Sequence, residues 1–130
     1  DHARSCEALG MRFGAHTVTH PILARTSNSQ SRHEIERSWQ RLSGEVSQPV
    51  PVFCYPNGKN GDFGRREIAT IRDLGLRGAV TAEPGYATDA AHAESDGLFR
   101  IPRFCLSDSH SDNIRYASGL EWLRQRARLP

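Results

Sequence analysis

Apolar positions change their spacing several times along the chain, and each change marks an element. Over residues 31–46, Ile35, Trp39, Leu42 and Val46 recur at intervals of three and four, the spacing of one helix face. Ser31 and Glu34 stand at its start as a Ser-x-x-Glu capping box, in which each side chain satisfies a free amide. Residues 65–74 repeat the pattern with Ile68, Ile71 and Leu74 inward, and Gly75 closes that helix. Elsewhere the apolar residues run together. Residues 50–55, between the Pro49/Pro51 break and Pro56, predict a strand, and residues 78–81 predict another. A strand over 98–106 is interrupted by Pro102, which suits an edge position. Upstream, residues 4–9 read as a helix end stopped by Gly10, and 11–15 as a short strand. Residues 16–28 form a polar loop containing Pro21, with one helical turn near 22–24. Residues 57–62 form a turn-rich loop, 87–97 a surface loop and 113–129 a last helix.

This alternation of strand and helix argues for an α/β layer with parallel strands. Sites in such sheets lie at the carboxyl ends of the strands. Two polar loops follow strand ends directly, one beginning at His16 and the other at Pro56. The 130 residues suffice for one domain and one core, without internal repeat or low-complexity tract. The chain opens at Asp1 rather than Met, which reads as a trimmed, processed or partial chain.

Charge changes the picture little. The formal net charge is +2, and Lys59 is the sole Lys. The Arg clusters at Arg65-Arg66 and at Arg124, Arg126 and Arg128 read as solvated helix faces, and no nucleic-acid motif accompanies them. No run approaches the roughly 18 apolar residues of a membrane span. The three cysteines, Cys6, Cys54 and Cys105, are too few and odd for a disulfide framework and too far apart for a paired-cysteine zinc site. Cys54 and Cys105 lie in strand-like runs and are expected as buried thiols, which argues against a nucleophilic Cys54.

Candidate chemistry sits in the two loops. His16 and His20, four residues apart, can share one metal if the chain between them curls, and neutral imidazole suits zinc, cobalt, nickel or iron. Two surface histidines are the plainer reading of that spacing. The run Phe53-Cys54-Tyr55-Pro56-Asn57-Gly58 ends a strand in a tight turn, and backbone amides presented there can stabilise an oxyanion. An ordinary turn is again the plainer reading.

Taken together the two segments are more specific. Phe13-Gly14-Ala15-His16-Thr17-Val18-Thr19-His20-Pro21 resembles the Gly-x-His-Ser/Thr-x-x-His-Pro second motif of the polysaccharide deacetylases, NodB-like carbohydrate esterases. Phe53 to Gly58 resembles the Phe-x-Tyr-Pro-x-Gly variant of their third motif, which is associated with bacterial exopolysaccharide and cell-envelope genes. Residues 77–86 and Arg100-Ile101-Pro102-Arg103 also look like that subgroup, so the resemblance covers residues 9–104.

The resemblance implies a distorted (β/α) barrel and a metal-dependent hydrolase that removes acetyl groups, chiefly N-acetyl, from a glycan. It implies a divalent metal, zinc foremost, held by His16, His20 and an Asp. It also implies an oxyanion amide from Tyr55 or its neighbour Asn57; Pro56 has no N–H. Thr17 is expected to hold the histidine loop, and Arg103 to face the sugar. The compartment stays open between a bacterial cytoplasm and the cell envelope.

The chain also departs from the family pattern. The Thr-Phe-Asp-Asp-Gly-like first motif, which brings the metal-binding Asp and the base, has no match in the fifteen residues before His16. Residues 1–130 are therefore expected to form a single partial domain lacking its N-terminal strand and helix. Its open edge would be covered by a missing segment or a second copy. Cys54 stands where better-known members carry Arg, His110 lies outside any Leu-x-His motif, and Asp62 is explained by turn formation. The alternative is a non-catalytic carbohydrate-binding or assembly module using Tyr55, Phe63, Tyr86 and Trp122 as a shallow aromatic groove.

Overall fold

The computed structural model describes residues 2–89 and 95–127. Five α-helices are described: α1 (His2–Ala8), α2 (Asn28–Glu45), α3 (Arg65–Asp73), α4 (His110–Ala117) and α5 (Leu120–Ala127). Strands β1 (Val52–Cys54) and β2 (Gly78–Val80) pair in parallel, with Phe53 opposite Ala79. Ala15 bridges Phe53 on the outer side of β1, and Ile101 bridges Val80 beyond β2, both in parallel. Four chain segments thus run side by side in one direction, in the order Ala15, β1, β2, Ile101. The α/β class with parallel strands is what the alternation predicted.

Helices α2 and α3 connect these segments and pack on one face of the sheet. Ile35 of α2, Ile68 and Ile71 of α3, Phe53 and Ala79 of the strands, and Tyr55 just past β1 are all 0–1% exposed. Full burial of each large side chain contributes about 1.5–3 kcal/mol, so this cluster supplies the bulk of the hydrophobic stabilisation. Trp39 and Leu42 pack against it from α2 but are only partly buried.

The caps differ from expectation at one end of α2. The helix starts three residues early, because Ser27 is the N-cap and accepts from the Gln30 amide at 3.2 Å. Ser31 and Glu34 consequently lie inside the helix and form no capping box. Ser31 instead donates to Glu67 Oε1 at 2.7 Å. Helix α3 ends as predicted. Gly75, at φ 77°, sends its amide to Arg72 O, and Leu76 sends its amide to Ile71 O, which satisfies two terminal carbonyls.

Arg66 also departs from the solvated-face reading. Its guanidinium donates to Glu67, Asn28, Leu23 O and Thr26 O, tying α3 to the start of α2.

Three further expectations shrink. The strand over 11–15 is reduced to the bridge at Ala15. Gly14 lies so close to β1 that a Cβ there would stand 2.6 Å from Val52 O. The strand over 98–106 keeps only Ile101, since Gly97–Phe99 forms a 3-10 turn and Pro102 has no N–H to offer. Cys105, outside any strand, is exposed rather than buried. The last helix begins earlier, behind the Ser109 cap, and Gly119 at φ 80° splits it into α4 and α5. Part of the surface loop expected over 87–97 lies outside the described residues.

Candidate active site

Both predicted loops open at the carboxyl ends of neighbouring parallel segments. His16 follows Ala15 directly, and its Nδ1 lies 2.8 Å from Cys54 O at the end of β1. A carbonyl only accepts, so Nδ1–H is the donor and the Nε2 lone pair is left available. The chain then reverses through Thr17 at φ 63° and His20 at φ 60°. Left-handed backbone at a β-branched residue costs of order 1–3 kcal/mol and persists only where the surroundings hold it. Two things hold it here. Thr17 Oγ1 donates to His16 O at 2.5 Å and accepts from the His20 amide at 3.2 Å. From α2, Glu34 accepts from the amides of Val18 and Thr19 at 2.8 and 2.9 Å and from Thr19 Oγ1 at 2.7 Å.

The reversal brings the two exposed imidazoles together. Their ring centres are 4.9 Å apart and the rings stand at 78°. Imidazoles sharing one tetrahedral zinc, each nitrogen about 2.0–2.1 Å from it, have ring centres roughly 5 Å apart. The separation of the two rings matches that of two such ligands. A catalytic zinc takes three protein ligands. Among the described residues no group of three His, Cys, Asp or Glu side chains comes together. An open cavity of about 300 Å³ flanks the loop, lined by Gly14 to Val18 and, across it, by Ser38 and Arg41 of α2.

The second loop divides its residues between core and surface. Tyr55 is fully buried, stacks on Phe63 at 3.7 Å and donates its hydroxyl to Phe99 O at 3.1 Å. Burial pushes its phenol well above the ordinary range. Its amide donates to Val80 O at 3.2 Å, in line with the β1–β2 ladder. That amide, expected as an oxyanion donor, is thus engaged in the sheet. Asn57 differs: it is exposed, at φ 57°, and its N–H has no hydrogen-bond partner among the described residues. Gly58 fixes this turn at φ 67°, where a Cβ would stand 2.8 Å from the Ala82 amide.

The remaining candidates scatter. Arg103 Nε donates to Thr81 O at 2.8 Å, so its stem is anchored past the end of β2 while the residue stays exposed. Burial pushes the Cys54 thiol up, with Arg103 pulling the other way and not prevailing. That is the opposite of an activated nucleophile. Asp62 accepts from the Lys59 amide, a turn contact, and His110 opens α4 at the surface. The four-ring sugar groove is not formed, because Tyr55 and Phe63 are core residues. Glu34 is the residue that the sequence pattern misplaced. Its signal was a carboxylate one position before Ile35 on the buried face, where a charge needs partners.

Among solved structures, the chain is similar to the Streptococcus pyogenes deacetylase PplD in complex with acetate. Identity is 25%, the TM-score is 0.70, and the match covers 85% of this chain and 46% of that one. The chain thus spans about half the length of this relative. No curated protein matches it. The polysaccharide deacetylase family profile matches residues 1–79, which takes in the paired histidines, the Tyr55–Gly58 turn and both strands through Ala79. Since that match spans more than half of the sequence and carries both loops at the strand ends, the chain belongs to the polysaccharide deacetylase family.

Proposed function

We propose that residues 1–130 are one partial domain of a distorted (β/α) barrel whose site hydrolyses acetyl groups, chiefly N-acetyl, on a bacterial glycan. The observation that carries the reading is the imidazole pair, 4.9 Å apart at the carboxyl edge of a parallel sheet, with His16 Nδ1 tied to Cys54 O. In this reading His16, through Nε2, and His20 hold a divalent metal, zinc foremost. When bound, the metal supplies Lewis acidity and a water of lowered pKa. The free Asn57 amide is the donor aimed at the oxyanion. Tyr55 serves by fixing the turn from below. Thr17 holds the two histidines in register, and the anchored Arg103 leaves its terminal nitrogens for sugar hydroxyls. The third ligand and the base are two separate carboxylates that lie outside the described residues.

Zinc titration calorimetry on the 130-residue chain, beside His16→Ala/His20→Ala, tests this. Binding of one zinc per chain, abolished in the double variant, is expected. Turnover of an N-acetylated oligosaccharide by this chain alone is expected to be weak or nil, for want of the ligand carboxylate and the base. Glycan binding that survives loss of both histidines would point instead to a non-catalytic carbohydrate-binding or assembly module.

A further inference from the structure

We infer that Glu34 is a positioning residue of the histidine site: its buried carboxylate selects the reversed conformation of the loop and thereby sets the spacing of His16 and His20. The inference rests on the metal-site reading above for its function, and on geometry alone for its mechanism.

Glu34 is 4% exposed, one helical turn after Ser31 and one before Ser38 on the inward face of α2. A carboxylate buried there is tolerated only if its oxygens are satisfied. All three of its side-chain hydrogen bonds come from the loop, from the two successive amides of Val18 and Thr19 and from the Thr19 hydroxyl. Successive amides converging on one anion, after a left-handed residue, make a small anion-binding nest. Here the anion is the protein's own. The left-handed Thr17 turns the next two N–H groups toward α2, and the carboxylate rewards that arrangement with charge-assisted bonds. Without it, two inward amides lose their partners and Thr17 has less reason to stay left-handed. Relaxation of Thr17 would carry His20 away from His16. Thr17 Oγ1 closes the turn from the outside, but its own placement depends on the same backbone.

The test compares Glu34→Ala and Glu34→Gln with Ile35→Val in the full 130-residue chain. The last variant removes a core methyl group next door without touching the loop. Zinc affinity and amide hydrogen exchange are read together. Groups that orient metal ligands typically change affinity 10–100-fold when removed, and a loss in that range is expected for Glu34→Ala. Glu34→Gln, which keeps an acceptor oxygen but loses the charge that strengthens the bonds, should fall between Glu34→Ala and the parent, and Ile35→Val should bind as the parent does. Equal affinity in Glu34→Ala and the parent, or an equal loss in Ile35→Val, overturns the inference.

If the parent binds no zinc, two imidazoles do not hold it without the outside carboxylate, and exchange at Val18 and Thr19 decides the positioning role. At least tenfold faster exchange in Glu34→Ala, with Ile68 and Ile71 unchanged, sustains it, and unchanged exchange sinks it. Should Glu34→Ala fail to fold, Glu34→Gln takes its place. A neutral acceptor holds the two amides less firmly, so faster exchange confined to them supports the role and unaltered exchange refutes it.

Discussion

The region around β1, β2 and α3 and the pair α4–α5 are held together by different means. In the first, Phe53, Ile68, Ile71 and Ala79 are sealed from solvent, and among the described residues no buried side-chain nitrogen or oxygen lacks a hydrogen-bond partner. In the second, α4 buries none of its residues, and Ile114, Leu120, Trp122 and Leu123 are each 42–60% exposed. There the helices are joined by Arg115, which pairs with Asp112 and Glu121 near the surface, where such pairs are screened and weak. The contrast shows where positional accuracy resides. Both candidate loops hang from the sealed region, and the family match ends within it, at residue 79.

The largest effect should come from opening that region. Ile71 lies on the inner face of α3 with no exposure. Ile71→Ala should cost about 2–5 kcal/mol, the transfer loss plus a cavity that the stiff surroundings cannot close. Urea unfolding of parent and variant measures it. A cost below about 1 kcal/mol would mean that the core is looser than its burial implies, and the comparison between the two regions would lose its basis.

The same contrast explains what was legible in the sequence. Periodicity found α2 and α3 because long amphipathic helices carry several turns of signal, and their Ile residues do face inward. It found β1 and β2 because strands with no exposed residue read as short apolar runs, even though Val52, Cys54 and Val80 are only half-buried. His16, Thr17 and His20 were legible because one short segment carries all three, and the structure brings the imidazoles together. The roles of Glu34 and Arg66 were hidden, because their partners lie at long range in sequence. Ser31 and Glu34 at capping-box spacing gave a local reading that the earlier Ser27 cap displaced. The Tyr55 amide could not be separated from that of Asn57 until the ladder showed which one was already bonded. In the tail the apolar residues sit too near the surface for their spacing to report a face, so the break at Gly119 passed unseen.

A smaller effect tests the polar component of the sealed region. Burial pushes the Glu67 carboxyl up, but bonds from Ser31, Arg66 and the Gly64 amide outweigh it and hold the group below its ordinary value. A carboxyl depressed in the folded state contributes its stabilisation fully above the unfolded value, about 4.3. That contribution fades as pH falls below this and through the folded value. Glu67→Gln should therefore cost about 1–3 kcal/mol at neutral pH. It should also flatten the loss of stability on acidification below about pH 4.3. Thermal melts of both proteins from neutral pH downward would show parallel curves if Glu67 had no such role.

The smallest effect is expected in the tail, and it sharpens the comparison most. Leu123 of α5 is 56% exposed. Truncating a side chain that is already largely in water removes little transfer energy and leaves no enclosed cavity, so Leu123→Ala should change stability by no more than about 0.5 kcal/mol. The same urea experiment used for Ile71→Ala reads it on the same scale, with an aliphatic side chain of equal size cut back to the same stub. If Leu123→Ala instead cost as much as the Ile71 variant, its apolar face would have to be covered in solution. The tail would then belong to an interface rather than to a lightly held margin, and dependence of the midpoint on protein concentration would show it.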